Sequence, residues 1–428
     1  MTTDNSLTAR RDRALGAGMP LFYREPLHLV RGEGAYLFDT DGRRYADLYN
    51  NVPCVGHGNA RVAEAMSRQQ STLNVHSRYL HEGIVEFAER LAGMHGDQIE
   101  SVVFACSGTE AIEVALQMAR TATGNRGIIG TNATYHGNSN DVIGLTHAPH
   151  QPGTYPEIRS IPFPERLRPI ACGLSDPELA DAYLAELRSS IDSLKTSEAG
   201  FAAVIFCSIL ANEGLPDVPE GFMARTAEIV HNAGGLMIAD EVQAGYGRTG
   251  QFWGYDVTGF QPDIVVTGKP MGNGLPLSAT AASRDLVERF RATSGYFNTF
   301  ASSPLQAAVG MAVLDEIEDR GLLASVTEIG ANLKAELAKR LGNASWLGDV
   351  RGHGLFVGVE IVSDKDSLAP DKRRAIDIIN HLKDLGFLTS NAGAHNNVVK
   401  IRPPLVFSSQ DATDFLVAFD QTVADIGS

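Results

Sequence analysis

Residues 236–240 read Leu-Met-Ile-Ala-Asp and residues 264–269 read Ile-Val-Val-Thr-Gly-Lys, so two short apolar runs each lead to an ionisable residue. Such runs are typical of parallel strands that are buried on both faces. In α/β proteins, side chains at the carboxyl ends of these strands line the ligand crevice. We therefore expect Asp240 and Lys269 to lie at one edge of a sheet, either as a buried ion pair or as two groups that hold one ligand.

Further strands of the same kind are predicted at 102–105, 127–130 and 203–206, and amphipathic helices are predicted at 110–121 and 222–232. Alternation of strands and helices indicates a doubly wound, mostly parallel sheet that is covered by helices on both faces. The predicted fold class is therefore α/β.

The pattern changes in the last quarter of the chain, where an alternating strand replaces the continuous apolar runs. We predict three parts: an N-terminal segment over residues 1–59 that joins the small domain, a large ligand-binding domain over residues 60–315, and a small C-terminal α+β domain over residues 316–428. A long helical region is predicted around the boundary between the last two parts, at 303–341. The elements expected in the small domain are the strands 354–362 and 398–401 and the helices 372–385 and 410–425.

Composition argues against several classes of protein. The formal net charge of −15 makes nucleic-acid binding unfavourable. The longest apolar run, residues 201–211, is too short to cross a bilayer, and the polar N-terminus lacks the apolar core of a signal peptide. The four cysteines show neither CxxC nor metal-ligand spacing. We therefore expect a cytoplasmic protein that binds a small molecule, without a metal ion, a membrane or a nucleic acid.

A candidate anion site, Ser107-Gly108-Thr109, lies between the strand at 102–105 and the helix at 110–121. The N-terminus of a helix presents free amides and the positive end of a dipole to a phosphate group. Serine and threonine also cap helices for purely structural reasons, so the motif is not specific by itself.

An anion site beside a lysine and an aspartate suits one cofactor, pyridoxal phosphate. Lys269 would form the Schiff base, and Asp240 would keep the pyridinium nitrogen protonated. Tyr135 follows the strand at 127–130 and is placed to stack on the cofactor ring, although an ordinary loop aromatic would look the same in sequence. Gln243, three residues after Asp240, is a candidate to reach the ring oxygen.

Two further stretches carry motifs whose role the sequence leaves open. Residues 245–250, Gly-Tyr-Gly-Arg-Thr-Gly, match the dinucleotide fingerprint GxGxxG. No helical pattern follows them, so we predict a glycine loop that folds close to the site instead. Asn298 and Thr299 lie between aromatic residues and are expected either to bind an anion or to pack at a subunit interface.

In this order, the motifs resemble the class III aminotransferase family of fold type I pyridoxal-phosphate enzymes. The resemblance implies a homodimer or a tetramer whose active sites are shared between subunits. It implies that Ser107-Gly108-Thr109 binds the cofactor phosphate, that Tyr135 stacks on the ring, and that Thr299 reaches the phosphate in the neighbouring subunit. The resemblance runs from Gly32 to Phe407 and rests on the stretches 107–111, 135–137, 238–243, 245–250, 266–269 and 298–299.

One segment departs from the family pattern. Members of the class usually carry two glutamates on the strand and loop before the aspartate; here Cys207 stands at the first position and Asn212 at the second. Glu213 would restore the second glutamate if the alignment slips by one residue. In the family, the second glutamate pairs with a pocket arginine in one half-reaction and releases it in the other.

Without that glutamate, the basic residues of the pocket stay cationic throughout, which suits a dianionic phosphate group. The candidates to bind the phosphate are Arg24, Arg78, Lys400 and Arg402, and each is also compatible with an ordinary solvated surface cation. The stretches 50–57, 77–81, 268–274 and 397–404 resemble the branch of the family that contains the ethanolamine-phosphate and phosphohydroxylysine phospho-lyases.

The predicted function is a pyridoxal-phosphate-dependent phospho-lyase that acts on O-phosphoethanolamine or a related phosphorylated amine and releases an aldehyde, ammonia and phosphate. An ω-aminotransferase that transfers an amine to pyruvate, glyoxylate or 2-oxoglutarate would use the same residues. A non-catalytic cofactor-binding scaffold is the third hypothesis, although a scaffold has no need of the Schiff-base lysine.

Overall fold

The computed structural model describes residues 6–151 and 153–426. Residues 1–5 of the predicted N-terminal segment and residues 427–428 of the predicted small domain lie outside the described residues. The strands are β1 (Leu29–Glu33), β2 (Tyr36–Asp39), β3 (Arg44–Asp47), β4 (Ser101–Ala105), β5 (Gly127–Thr131), β6 (Ile158–Ile161), β7 (Phe201–Cys207), β8 (Leu236–Asp240), β9 (Ile264–Thr267), β10 (Ser278–Ala282), β11 (Leu347–His353), β12 (Phe356–Ile361), β13 (Phe387–Leu388), β14 (Ser390–Ala392) and β15 (Val398–Ile401). The α-helices are α1 (Leu7–Leu15), α2 (Ala60–Thr72), α3 (Glu82–Ala92), α4 (Gly108–Thr123), α5 (Asn140–His147), α6 (Asp176–Lys195), α7 (Phe222–Asn232), α8 (Tyr255–Thr258), α9 (Arg284–Ser294), α10 (Pro304–Asp319), α11 (Leu322–Lys339), α12 (Lys372–Asp384) and α13 (Ser409–Ile426).

The largest sheet has seven strands in the order β4-β10-β9-β8-β7-β5-β6. Six of them run in one direction, because β10 is antiparallel to both of its neighbours and every other pair is parallel. Strands β7 and β9 are buried along their whole length, as their continuous apolar runs require. The sheet confirms the predicted α/β class, and it brings the carboxyl ends of six strands to one edge.

Several elements of this region have no counterpart in the sequence-based prediction, among them the strands β6 and β10 and the helix α6. Strand β10 consists of small residues, Ser-Ala-Thr-Ala-Ala. Helix α4 packs on this strand, and the Thr280 hydroxyl donates a hydrogen bond to the Ala111 carbonyl at 2.7 Å. Small side chains let the helix approach the sheet closely, and they also remove the hydrophobic pattern by which a strand is recognised.

The helical region predicted at 303–341 consists of two helices, α10 and α11. Helix α10 ends before Gly321, which adopts a left-handed conformation with φ 58° and precedes α11. Glycine adopts this conformation without the steric cost that other residues incur. The chain therefore reverses here, and the two helices pack against each other.

Two four-stranded sheets lie outside the large one, in the orders β1-β2-β3-β13 and β11-β12-β15-β14. In the first sheet, β13 from the C-terminal part of the chain pairs in parallel with β3 from the N-terminal part. Strand β3 ends at Asp47, whose carboxylate accepts the N–H of Tyr49 at 3.0 Å and turns the chain. Tyr49 therefore lies beyond the end of the sheet.

Within residues 6–151 and 153–426, no helix has both the length and the apolar character needed to cross a membrane. The same residues contain no group of three or more histidine, cysteine, aspartate or glutamate side chains arranged to hold a metal ion.

Candidate active site

The carboxyl ends of β7, β8 and β9 lie side by side. Cys207 pairs with Asp240 across β7 and β8, and Asp240 pairs with Val266 across β8 and β9. Asp240 ends β8 and is 5% exposed, whereas Lys269 follows β9 by two residues and is exposed. The structure thus places the two predicted residues at neighbouring strand ends, one buried and the other open to the crevice.

Gly108 packs between these two strand ends. A Cβ atom on Gly108 would lie 3.1 Å from Cγ1 of Val242, two residues after Asp240. A Cβ atom on Gly268 would lie 3.5 Å from the Cα atom of Gly108. Glycine at position 108 therefore allows the N-terminus of α4 to approach both Asp240 and Lys269.

The first turn of α4 presents polar groups at the same edge of the sheet. Ser107 is the N-cap residue, and its hydroxyl accepts the N–H of Glu110 at 3.2 Å. The Thr109 hydroxyl donates to Oδ1 of Asn138 at 3.2 Å and accepts its N–H at 3.3 Å. The first N–H groups of a helix have no intrahelical partner, so this turn has the donors that a phosphate group requires.

A buried histidine holds Asp240. Nδ1 of His136 lies 2.6 Å from Oδ2 of Asp240, and Nε2 of His136 lies 2.6 Å from Oγ1 of Thr134. His136 is 4% exposed, so the protein itself satisfies both ring nitrogens. Asp240 is therefore paired with His136 rather than with Lys269. No role was predicted for His136, because nothing in the neighbouring residues distinguishes it from an ordinary buried histidine.

Lys269 lies where its neutral form is favoured. Surrounding protein atoms displace water from the side chain even though it is open to the crevice, and this desolvation lowers the pKa of Lys269. The negative charge of Asp240 opposes this decrease, and the positive charge of Arg402 adds to it. A lysine with a lowered pKa is a better nucleophile and base near neutral pH.

Two buried cations, Lys400 and Arg402, lie near Lys269. Their exposed fractions are 8% and 4%. Burial lowers the pKa of Lys400 well below its usual value, and the charges of Arg402 and Lys269 lower it further. Burial lowers the pKa of Arg402 to about 10. Among the described residues, neither cation has a carboxylate within salt-bridge distance. Because an unpaired buried charge is unfavourable, this pair of cations suits an anionic ligand.

Arg402 is held by uncharged groups. Its Nε and Nη2 donate to the Tyr49 carbonyl at 3.1 and 2.8 Å, and its Nη1 donates to Oε1 of Gln243. Nε2 of Gln243 donates to Oδ1 of Asn212 at 3.0 Å, and Nδ2 of Asn212 donates to the Tyr135 carbonyl at 2.9 Å. Both ends of the Gln243 amide are therefore engaged, and the arginine keeps its full charge.

Asn212, and not Glu213, is linked to Arg402, and the link runs through the amide of Gln243. Glu213 is 2% exposed, accepts a hydrogen bond from the Thr131 hydroxyl, and has a pKa raised by burial. Cys207 is also buried at the end of β7, where burial raises the pKa of its thiol well above the usual value. At the two positions where the family carries glutamate, this chain thus has a neutral thiol and an amide.

The other predicted residues lie apart from the two buried cations in the described chain. Arg24 forms an ion pair with Asp377, and the guanidinium carbon of Arg78 lies 4.1 Å from the ring centroid of Phe297. Thr299 is exposed in the loop after α9. Their suggested roles toward phosphate stay predictions.

The GxGxxG stretch contributes a buried arginine that sequence reasoning missed. Arg248 is 1% exposed. Its Nε donates to Oδ1 of Asn51 at 3.0 Å, and its Nη1 donates to the carbonyls of Leu355, at 3.1 Å, and Pro403. Since Pro403 directly follows Arg402, the glycine loop does fold close to the site, as predicted.

A family model described as aminotransferase class-III matches residues 23–423 of this chain. The chain belongs to the class III aminotransferase family. The match confirms the resemblance found in the motifs, and with it the fold type I architecture.

The solved structure of a phospholyase from Arthrobacter in complex with phosphoethanolamine is 38% identical to this chain, with a TM-score of 0.93 over 98% of this chain and 99% of its own. A Caenorhabditis elegans protein named ethanolamine-phosphate phospho-lyase homolog 1 is 32% identical over 97% of this chain and 92% of its own. A Drosophila melanogaster protein named alanine–glyoxylate aminotransferase 2-like is 33% identical over 97% of this chain and 86% of its own.

Class III enzymes depend on pyridoxal phosphate, and the strand-end residues of this chain fit that cofactor. The packing at Gly108 is tight against Val242, and the absence of a side chain there keeps the helix N-terminus accessible to a phosphate group. Lys269 is an exposed amine at the same edge, and Asp240 is a buried carboxylate with a fixed orientation. The dependence on pyridoxal phosphate agrees with the prediction from the sequence.

Proposed function

We propose that this protein is a phospho-lyase that eliminates phosphate from O-phosphoethanolamine or a related small phosphorylated amine. The observation that carries the proposal is the pair of buried cations, Lys400 and Arg402, which lie near Lys269 without a carboxylate partner among the described residues. The amides of Gln243 and Asn212 occupy the place where a carboxylate would neutralise the arginine.

Electrostatics favours a phosphate over a carboxylate in this pocket. A phosphate monoester carries roughly −1.5 to −2 charges at pH 7. A glutamate about 8 Å from it would cost on the order of 2 kcal/mol at an effective dielectric of 20, which is about 30-fold in affinity. The neutral Asn212 avoids this repulsion.

Pyridoxal phosphate, when bound, supplies an electron-accepting ring that stabilises negative charge on the substrate carbon next to the nitrogen. We assign its phosphate to Ser107, Gly108 and Thr109 and the face of its ring to Tyr135. Asp240 would pair with the protonated ring nitrogen, and His136 would keep the Asp240 carboxylate in that orientation.

The remaining steps use residues of this chain. Lys269 removes a proton from the carbon that bears the substrate nitrogen, a role that its lowered pKa favours. Phosphate leaves from the adjacent carbon, and Lys400 and Arg402 stabilise the charge that develops on the departing group. The resulting enamine hydrolyses in water to acetaldehyde and ammonia when phosphoethanolamine is the substrate.

An ω-aminotransferase is the alternative, because relatives of similar identity carry aminotransferase names. It would use the same cofactor residues. The difference is that Lys269 would return the proton to the cofactor, so that a keto acid becomes necessary to complete each cycle.

We also propose a homodimer with shared active sites. Four large side chains around the loop that carries Thr299 are exposed: Tyr79 (63%), Leu80 (102%), Phe297 (38%) and Phe300 (76%). Soluble proteins rarely leave such a patch open to water, and a second copy would cover it while bringing its own Thr299 to the cofactor phosphate. The four cysteines are free, which fits the reducing cytoplasm in which we place the enzyme.

The test is an assay of inorganic phosphate from the holoenzyme and phosphoethanolamine in the absence of any keto acid. Continuous release over many turnovers is expected, with the Lys269→Ala variant as the inactive control. If the cofactor is converted once to its amine form, and turnover resumes only after addition of pyruvate or 2-oxoglutarate, the enzyme is an aminotransferase and the proposal fails.

A further inference from the structure

We propose that Tyr49 is a positioning residue that adapts this pocket to phosphate, because its ring lies against both buried cations at once. The inference rests on the proposed function, since it concerns how Lys400 and Arg402 bind the phosphate of a phosphorylated amine. Tyr49 is not among the residues that the motifs indicate, and it follows the end of β3 by two residues.

The geometry around Tyr49 joins the two cations. Nζ of Lys400 lies 5.5 Å from the centroid of the Tyr49 ring, and the guanidinium carbon of Arg402 lies 5.4 Å from it. Both distances fall within the range of about 6 Å in which a cation is attracted to an aromatic face. The Tyr49 carbonyl also accepts two N–H groups of Arg402. One residue thus contacts both charges through its ring and one of them through its backbone.

Tyr49 is itself held in place. Its N–H donates to Oδ1 of Asp47 at 3.0 Å, and Oδ2 of Asp47 lies 2.7 Å from Nε2 of His57. The ring of Phe22 packs edge-on against the Tyr49 ring with the centroids 4.6 Å apart. A side chain fixed on both sides loses little conformational freedom when a ligand binds.

An aromatic ring stabilises buried cations in a way that a carboxylate does not. The attraction comes from the ring quadrupole, and the ring has no net charge that would neutralise the cations. A carboxylate in the same place would neutralise one cation and repel an incoming dianion. The aromatic ring of Tyr49 and the amides of Gln243 and Asn212 therefore perform one task, which is to stabilise two cations while leaving their charge for the phosphate.

The experiment compares Tyr49→Leu with Tyr49→Phe in the holoenzyme. Leucine removes the ring but keeps the backbone carbonyl that holds Arg402, whereas phenylalanine keeps the ring and loses only the hydroxyl. We expect Tyr49→Leu to raise the KM for phosphoethanolamine about tenfold, as the loss of two cation–π contacts predicts. We expect kcat and the absorbance of the bound cofactor to stay within about twofold of wild type, and Tyr49→Phe to restore a wild-type KM.

A second measurement separates this inference from the proposed function. Isothermal titration of the cofactor-loaded protein with inorganic phosphate reports on the pocket without any turnover, and its Kd should rise about tenfold in Tyr49→Leu. If the wild type releases phosphate from phosphoethanolamine but Tyr49→Leu leaves KM and Kd unchanged, the role of Tyr49 is refuted and the lyase function stands. If kcat and cofactor absorbance fall while KM rises, Tyr49 is merely structural and the inference is overturned. If the wild type lacks lyase turnover and its loaded form also fails to bind phosphate, both fail.

Discussion

The C-terminal four-stranded sheet carries two buried cations on one face, and their surroundings differ. Arg351 on β11 and Lys400 on β15 both lie opposite Gly358 of β12, so the two side chains leave the same face of the sheet. Arg351 forms an ion pair with Glu360. Lys400 has no such partner in the part of the chain that the structure describes.

The two cations also differ in the direction of their pKa. Burial lowers the pKa of both, but for Arg351 the charges of Glu360 and Asp349 and their hydrogen bonds together outweigh burial and raise its pKa above the usual value. For Lys400, the neighbouring charges of Arg402 and Lys269 act in the same direction as burial. The comparison shows that the fold neutralises one buried cation and leaves the other unneutralised beside the cofactor residues.

The paired cation also supports the site. Nε of Arg351 donates to the Gly214 carbonyl at 2.9 Å, and the Asn212 carbonyl accepts the N–H of Gly393 at 3.1 Å. The loop that carries Asn212 is therefore attached to the C-terminal sheet through these bonds. Paired charges maintain the structure in this region, whereas the unpaired charges are available for a ligand.

The largest effect, on stability, is expected from Glu360→Gln, which breaks the ion pair of Arg351. The substitution removes the negative charge between Arg351 and Arg168, whose Nη1 lies 2.7 Å from Glu360. Breaking a buried ion pair costs about 3–5 kcal/mol, of which Asp349, 3.3 Å from Arg351, offsets a part. Urea unfolding of the holoenzyme should shift to a clearly lower midpoint. Glu33→Gln is the control, because it breaks the exposed pair with Arg31, worth about 0–1 kcal/mol. An unchanged midpoint for Glu360→Gln would contradict the comparison.

Of the two cations without a carboxylate partner, Arg402 can be tested with Arg402→Met, which should affect catalysis more than stability. Loss of the charge-assisted bonds to phosphate is worth about 3 kcal/mol, so kcat/KM for phosphoethanolamine should fall about 100-fold. The unfolding midpoint should shift less than in Glu360→Gln, because the substitution removes the buried charge itself. Arg289→Met is the matched control: this arginine forms an exposed pair with Asp285 on α9, and less than a twofold change is expected. Equal losses in both variants would refute this view of the pocket.

Asn212→Glu would give Arg402 a carboxylate partner. A carboxylate about 8 Å from the phosphate costs about 2 kcal/mol at an effective dielectric of 20, so the KM for phosphoethanolamine should rise about 30-fold. Transamination of 2-oxoglutarate should increase at the same time, because the arginine now has a partner in the half-reaction without an acidic substrate. Asn212→Gln has the same length without the charge and should keep the KM near that of wild type. A similar rise in both variants would mean that size, and not charge, controls the position.

The smallest effect concerns pH. Because the pKa of Lys400 is lowered, the cation that binds phosphate loses its proton as pH rises through a value below that of free lysine. The KM for phosphoethanolamine should therefore increase toward alkaline pH, by about fivefold if one of the two cations is lost. Lys400→Arg keeps its charge throughout this range and should flatten the profile. A KM that rises equally in both proteins would assign the pH dependence to another group.

The sequence predicted the elements whose hydrophobic pattern is local, and it missed those whose composition depends on a neighbour. Helix α7 has the predicted bounds, and β9 lies within the apolar run quoted at 264–269, since apolar periodicity is a property of a short stretch of chain. Strand β10 was missed because its small residues are explained only by the close approach of α4. In the same way, no pattern within residues 45–49 indicates that Tyr49 would lie between two cations.

By itself, the amino-acid sequence determined the family, the α/β fold and the dependence on pyridoxal phosphate, because the motifs at strand ends and helix starts consist of consecutive residues. Only the tertiary structure decided the charge balance of the pocket. Whether Asn212 or Glu213 faces Arg402 depends on the direction of each side chain, and whether Lys400 has a partner depends on residues hundreds of positions apart. Electrostatic energy depends on distances in space, and the fold alone sets those distances.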